Sequence, residues 1–521
     1  MNIKKIIILI LVFSLTVFTA CGGQDTVQEA DNEGPEDVVE AEKDTSNGKD
    51  EDDTLTVAIE MDITALDPAG HNETITAYVT NMITSRLFTY DEDMNTIPQL
   101  AEEWEYLSDT ELKIKIFEGV KFHDGSEMKA EDVKASIERA TQMPKVSYVV
   151  NQVEKVDVID DYTVVINTKV PFAPLMGNLV HPGCSILSKK QIDSGNFETI
   201  NGSGPYKFVS WQSGNEIVLE KFDDYFDKDG VSDFEKLVYR VIPEGSSRTI
   251  GLEAGDVDLV VSLDTNDYNR VNENSDLVII EKLANHIWYL AMNVEKEPFD
   301  NKLVRQAMNY AINKEDVLEV AQNGLGRTLN SITPDEILGH VKNTTYEYNP
   351  EKAKQLLEQA GYKEGELEIT INSYGDEKGG PVIQANLLDI GIDAKVNNMD
   401  RGAFLDLNNS GNFQCSLNGW TTSPDPDRFF ASLIHSAGVG TNNVARYANP
   451  EMDALVRKGS STIDEAEREV IYNQVHELAM EDAIWVPLYS KVLVMGGSAD
   501  YTYDGVLDPM WNVNFNLVRK K

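Results

Sequence analysis

The side chains best suited to chemistry in this sequence are seven histidines and three cysteines, and their spacing builds no reaction centre. No two histidines stand at metal-ligand spacing on one element, and there is no Cys-x-x-Cys pair. His476-Glu477 lacks the second histidine of a zinc-protease helix. A Gly-x-Ser-x-Gly elbow and a phosphate-cradling glycine loop are both absent from the sequence. The pattern argues against an enzyme and calls for no cofactor and no metal. The stretch Gly419–Phe430 offers the Trp420 ring, the hydroxyls of Thr421, Thr422 and Ser423, and the Asp425 carboxylate. Asp425 is a carboxylate that could pair with a positive charge. The competing reading of Asp425 is structural, because Asp425-Pro426-Asp427 is a turn that starts a helix. Trp420 likewise either stacks on a solute or fills a core.

These residues need a scaffold, and the hydropathy pattern describes one. In Thr54–Glu60, Leu55, Val57 and Ile59 alternate with smaller or polar residues, which predicts a strand with one apolar face. Glu111–Phe117 alternates more cleanly, as in a sheet with one wet face. Tyr162–Thr168, Glu216–Lys221, Asp256–Val261 and Leu277–Lys282 read as further strands. Asp300 is the predicted cap of a helix running through Asn313, with a core stripe of Leu303, Val304, Ala307, Met308 and Ala311. Asn349-Pro350 opens a second helix that Gly361 ends, and Asp464 with Glu467 opens a third. Strands and helices mix along the chain without a short repeat, so the class is α/β and not a solenoid or propeller.

The first twenty residues read as an export signal. Lys4 and Lys5 precede an uncharged apolar run, Ile6–Phe18, which is too short for the roughly 20 residues of a spanning helix. Phe18-Thr19-Ala20-Cys21-Gly22 resembles a lipobox, which makes Cys21 the expected site of lipidation and membrane attachment. Residues 21–53 are rich in Asp and Glu and poor in large apolar side chains, the composition of an unfolded tether. Net charge is −43, which excludes nucleic acid as a partner, since that binding needs basic patches. Cys184 and Cys415 lie far apart in sequence and read as buried free thiols.

Several segments in order resemble one family. They include Leu66-Asp67-Pro68, Pro98-Gln99-Leu100-Ala101-Glu102-Glu103-Trp104, Phe122-His123-Asp124-Gly125, Gly202–Phe208, Gly251–Asp258, Val304–Ile312 and Trp485–Tyr489. Together they look like extracellular solute-binding protein family 5, the peptide/nickel-binding lipoproteins of ABC importers. The resemblance implies a two-lobed periplasmic-binding-protein-like fold with two hinge crossovers, near Asn285–Asn293 and Val486–Lys491. Lobe I would be residues 54–284 with a subdomain inserted at about 90–200, lobe II residues 285–487, and 488–521 the return to lobe I. It further implies a monomer at the outer face of the membrane, a peptide or peptide-like ligand, and an ABC permease as partner. A nickel chelate, an opine or an oligosaccharide are alternative ligands on this scaffold, and a surface peptide sensor without transport is an alternative role.

Within that resemblance, Met61 and Asp62 (or Glu60) would contact ligand from lobe I, and His286 and Trp288 would sit at the first crossover. Peptide-binding members place an aspartate in the cleft loop to pair with the ligand's ammonium. Thr422-Ser423 occupies that place here and the loop looks one residue shorter, so the clamp does not carry over. Asp425 or Asp62 would have to replace it. His435 stands where a nickel-chelate binder would use a histidine.

Overall fold

The structure is a computed structural model and describes residues 53–91, 93–342, 346–375 and 378–521. The predicted export signal, Cys21 and all but the last residue of the acidic segment lie outside the described residues. Thr54–Ile59 forms the strand its pattern predicts, but Leu55, Val57, Ala58 and Ile59 are all fully buried. It runs parallel between Lys236–Val241 and Leu259–Val260, so both of its faces are covered. Glu111–Ile116 keeps the clean alternation, with Leu112, Ile114 and Ile116 turned inward. It belongs to a separate four-stranded antiparallel sheet with Ala101–Ser108, Val153–Asp160 and Thr163–Thr168. Val133 and Ile137 of the helix Ala130–Ala140 share that sheet's core.

The molecule is two-lobed, and one long strand runs through both lobes. Trp485–Ser498 is fourteen residues long. Its first part, Trp485 to Tyr489, pairs with His286–Met292, which continues through Cys415–Thr421 and Leu367–Tyr374 to Ile392–Met399. Its second part, Val492 to Ser498, pairs with Leu277–Leu283 and borders Leu259–Val260. Only Ala284 and Asn285 separate Leu277–Leu283 from His286–Met292, so the second connection lies there. Backbone bonds fix this joint: Ala284 N–H to Lys491 O at 3.0 Å, and Asn285 N–H to Pro509 O at 2.8 Å. Each lobe has its own apolar core, one around Val57, Leu219 and Phe515, the other around Met292, Ile371 and Val486. Burying each such side chain contributes about 1.5–3 kcal/mol, so each lobe is held together by a core of its own.

The helix read as starting at Asp300 instead spans Lys302–Ala311 and is capped by Asn301, whose side chain accepts the Leu303 N–H at 3.0 Å. It stops because Ile312 is extended and Lys314–Gln322 begins a new helix directly after it. Asn349 caps Pro350–Gln359 through the Lys352 N–H, and Asp464 caps Glu465–Asp482 through the Glu467 N–H, each at 2.9 Å. Cys184 and Cys415 are buried free thiols, and burial pushes the Cys184 pKa up to about 12.

Candidate ligand cleft

Two adjoining cavities of about 180 and 770 Å³ open between the lobes and share Asn72, Thr421 and Arg428. The lobes touch around them. Ala173 N–H donates across the cleft to Ser460 O at 3.0 Å. The Arg428 guanidinium of lobe II lies 5.8 Å from the centre of the lobe I Tyr148 ring, within cation–π reach.

Lobe II supplies most of the larger cavity. The helix Arg401–Ser410, capped by Asp400 through the Gly402 N–H at 2.8 Å, lines it with Arg401, Phe404, Leu405 and Asn408. That spacing is one face of a helix. The strand Cys415–Thr421 adds Asn418, Trp420 and Thr421. Gly419 is required between them: a β-carbon there would lie 2.2 Å from the Trp288 ring and 2.8 Å from His286 Nε2. Arg428 follows from the turn after that strand. Phe429 and Phe430 beside it are fully buried, which anchors the helix Asp427–Leu433 and leaves Arg428 at the cleft wall.

Lobe I closes the smaller cavity with His71, Glu73 and His181. Burial lowers the His71 pKa against the pull of Glu73, and burial together with the Arg428 and Arg86 charges pushes His181 down to about 3. Both imidazoles are therefore neutral at neutral pH and act as hydrogen-bonding groups. Among the described residues, the fixed charges of the cleft wall are then Arg401, Arg428 and Glu73.

The profile of Bacterial extracellular solute-binding proteins, family 5 Middle, matches residues 95–441. The chain belongs to this family. The glutathione-binding protein GsiB of Pectobacterium atrosepticum is 29% identical over 465 residues, covering 86% of this chain and 90% of that protein. Among solved structures, the ABC transporter-associated periplasmic binding protein DppA of Helicobacter pylori, in complex with the peptide STSA, superposes with a TM-score of 0.75. It is 27% identical, covering 90% of this chain and 98% of that one. The oligopeptide-binding protein AppA of Bacillus subtilis, in complex with a nonapeptide, gives a TM-score of 0.73 at 25% identity, over 90% and 99% of the two chains.

In this solute-binding protein the residues singled out in the sequence occupy three settings. Trp420, Thr421 and Ser423 line the cleft, and Trp420 Nε1–H is buried without an acceptor. Thr422 ties the cleft loop to the joint, its N–H donating to Asn285 O at 2.8 Å. His286 and Trp288 stack at the joint with centroids 5.9 Å apart, next to Trp511. The two carboxylates are already engaged within the protein. Asp425 receives both terminal nitrogens of Arg468, at 2.9 and 3.0 Å, and also the Asp427 N–H at 2.9 Å. Asp62 accepts from Trp211 Nε1 at 2.9 Å, Ser213 Oγ at 2.8 Å and the Gly214 N–H at 2.7 Å. Met61 beside it is 55% exposed. Glu60 Oε2 is buried without a donor. His435 caps the short turn Ser436–Gly438 through the Ala437 N–H and meets Arg457 through its other nitrogen.

Sequence reading passed over Arg428, Arg401, Asn72, Glu73, Tyr148 and His181. Arg428 stood inside the Gly419–Phe430 stretch, and its position just after a Pro-Asp-Pro-Asp turn was the available signal. The lobe I residues come from three separate segments with no common motif.

Proposed function

We propose that this chain is the extracytoplasmic substrate-binding subunit of an ABC importer, and that it captures a peptide or peptide-like solute between its lobes and delivers it to the permease. The observation that carries this reading is a cleft lined from both lobes, which two strand connections join among the described residues. A solute touching both walls favours the closed state by its differential affinity for that state, and closure then marks the loaded protein for a membrane partner. The peptide ligand rests on the chain's likeness to glutathione- and peptide-binding proteins. Trp420, Thr421 and Ser423 are contact residues in this reading. Thr422, His286 and Trp288 set the joint, and Asp62 and Asp425 shape the walls through their internal partners. The function is capture without conversion. The protein acts as a monomer, lipid-anchored through Cys21 at the outer face of the membrane with residues 21–53 as a tether.

The test is native mass spectrometry of the full chain purified in detergent without denaturation, with release of whatever it carries. Unmodified peptide masses are expected. A non-peptide solute overturns the peptide reading, and recovery of a chemically altered ligand overturns capture without conversion. For the anchor, Cys21→Ala is expected to move the protein from the membrane fraction to the medium or periplasm.

A further inference from the structure

The charge of the cleft is opposite to the charge of the chain. Acidic residues outnumber basic ones 88 to 45. Yet the nineteen described residues around the larger cavity include Arg401 and Arg428 and no carboxylate. Among the described residues neither guanidinium has an ion-pair or hydrogen-bond partner, whereas Arg139, Arg270, Arg327, Arg446 and Arg468 each have at least one carboxylate, and Arg86, Arg240, Arg248, Arg305, Arg457 and Arg519 bond to amide, carbonyl or imidazole acceptors. Trp420 Nε1–H adds a buried donor that lacks an acceptor on the same wall. Unpaired donors and unpaired positive charge in a closing cleft are costly unless the occupant supplies acceptors.

Resting on the capture reading above, we infer that the ligand is an acidic peptide with two carboxylates, one received by Arg428 and the other by Arg401. The guanidinium is a planar fork of donors that matches a carboxylate two bonds at a time, which a neutral amide cannot reproduce. Glu73 is the carboxylate that lines the smaller cavity, and Arg428 borders both cavities. A peptide lying across them therefore directs its ammonium toward Glu73 and its acidic groups toward the arginines. The net charge of −43 opposes an incoming anion at long range. That repulsion is screened beyond about 8 Å at physiological ionic strength, so the local guanidinium charges decide binding once the ligand is in the cleft. Because Arg428 also reaches Tyr148 of lobe I, the bond that reads the ligand's charge forms at the seam that closes.

The experiment is calorimetric titration of the full chain in detergent with Ala-Glu-Ala, Ala-Gln-Ala, Ala-Lys-Ala and glutathione, repeated on Arg428→Gln, Arg401→Gln and Arg428→Lys. Ala-Glu-Ala and glutathione are expected to bind about tenfold or more tighter than the isosteric Ala-Gln-Ala, with Ala-Lys-Ala weakest. The glutamine variant of the arginine that receives the side-chain carboxylate is expected to lose most of that preference while still binding Ala-Gln-Ala, the other glutamine variant to weaken all four ligands through their shared terminal carboxylate, and Arg428→Lys to keep part of the parent's affinity. Equal affinity for the Glu and Gln peptides, or a preference that survives both glutamine variants, overturns the charge assignment and leaves peptide capture standing. Binding of none of the four by protein that unfolds cooperatively overturns the peptide reading itself.

Discussion

Arg468 and Arg428 flank the same turn in lobe II and have opposite surroundings. Arg468 is buried, with its side chain 7% exposed, and closes on Asp425 while its Nε–H donates to Gly459 O at 3.0 Å. Arg428 lines the cleft with an aromatic ring across from it and, among the described residues, no carboxylate within ion-pair distance. One charge is balanced inside the chain and belongs to the fold. The other is left for something that is not the chain. Net charge and residue type do not separate the two, because the distinction lies in whether the desolvated charge already has its counter-ion.

The largest test of that contrast is Asp425→Asn. It strands Arg468 in a buried site, and loss of one partner from such a pair costs about 3–5 kcal/mol. Urea unfolding is expected to show that loss at neutral pH. If Asp425 were instead a ligand clamp, the variant would keep its stability and lose affinity. Replacing both Asp425 and Arg468 with apolar residues of similar volume is expected to recover much of the stability.

Two residues on, Asp427 gives a second test through pH. It is buried, and desolvation first, then the neighbouring Asp425 charge, pushes its pKa up to about 7. One of its oxygens has no hydrogen-bond partner. A carboxyl whose folded pKa is raised contributes stability that is fully present below the unfolded value near 4. That contribution is lost as pH rises through 7, because the folded state holds the proton and the unfolded state does not. Asp427→Asn removes this dependence. The variant is expected to gain on the parent by up to about 1.4 kcal/mol per pH unit between roughly pH 4 and 7, and to run level above that. A difference that does not change across that window means Asp427 stays ionised in the fold.

The same contrast explains what the sequence could disclose. Strand alternation at Glu111–Ile116 and the caps at Asn349 and Asp464 were readable because their determinants lie within a few residues of one another. The cap at Asn301 was misplaced by one residue, since Asp300 and Asn301 are both good caps and only the backbone path chooses. The state of Asp425 was not readable, because its partner is 43 residues away. Nor was that of Asp62, whose donors Trp211, Ser213 and Gly214 are about 150 residues off. The two-lobed fold was legible from ordered segments along the body. The cleft's charge pattern was not, since it depends on which ionic partners the fold withholds.

Arg428→Gln is the smallest perturbation and separates the two arginines most sharply. No internal ion pair is lost and the residue is not core, so stability without ligand is expected to stay within about 0.5 kcal/mol of the parent. The effect should emerge only when ligand is added. Stabilisation by a ligand follows RT ln(1 + [L]/Kd), so a tenfold weaker complex gives up about 1.4 kcal/mol at saturating concentration. Thermal unfolding with and without glutathione measures both quantities on one sample. A variant that is already destabilised when empty would place Arg428 with Arg468 among the structural charges. An unchanged empty protein with a reduced ligand shift would leave Arg428 as a charge the fold keeps open for its solute.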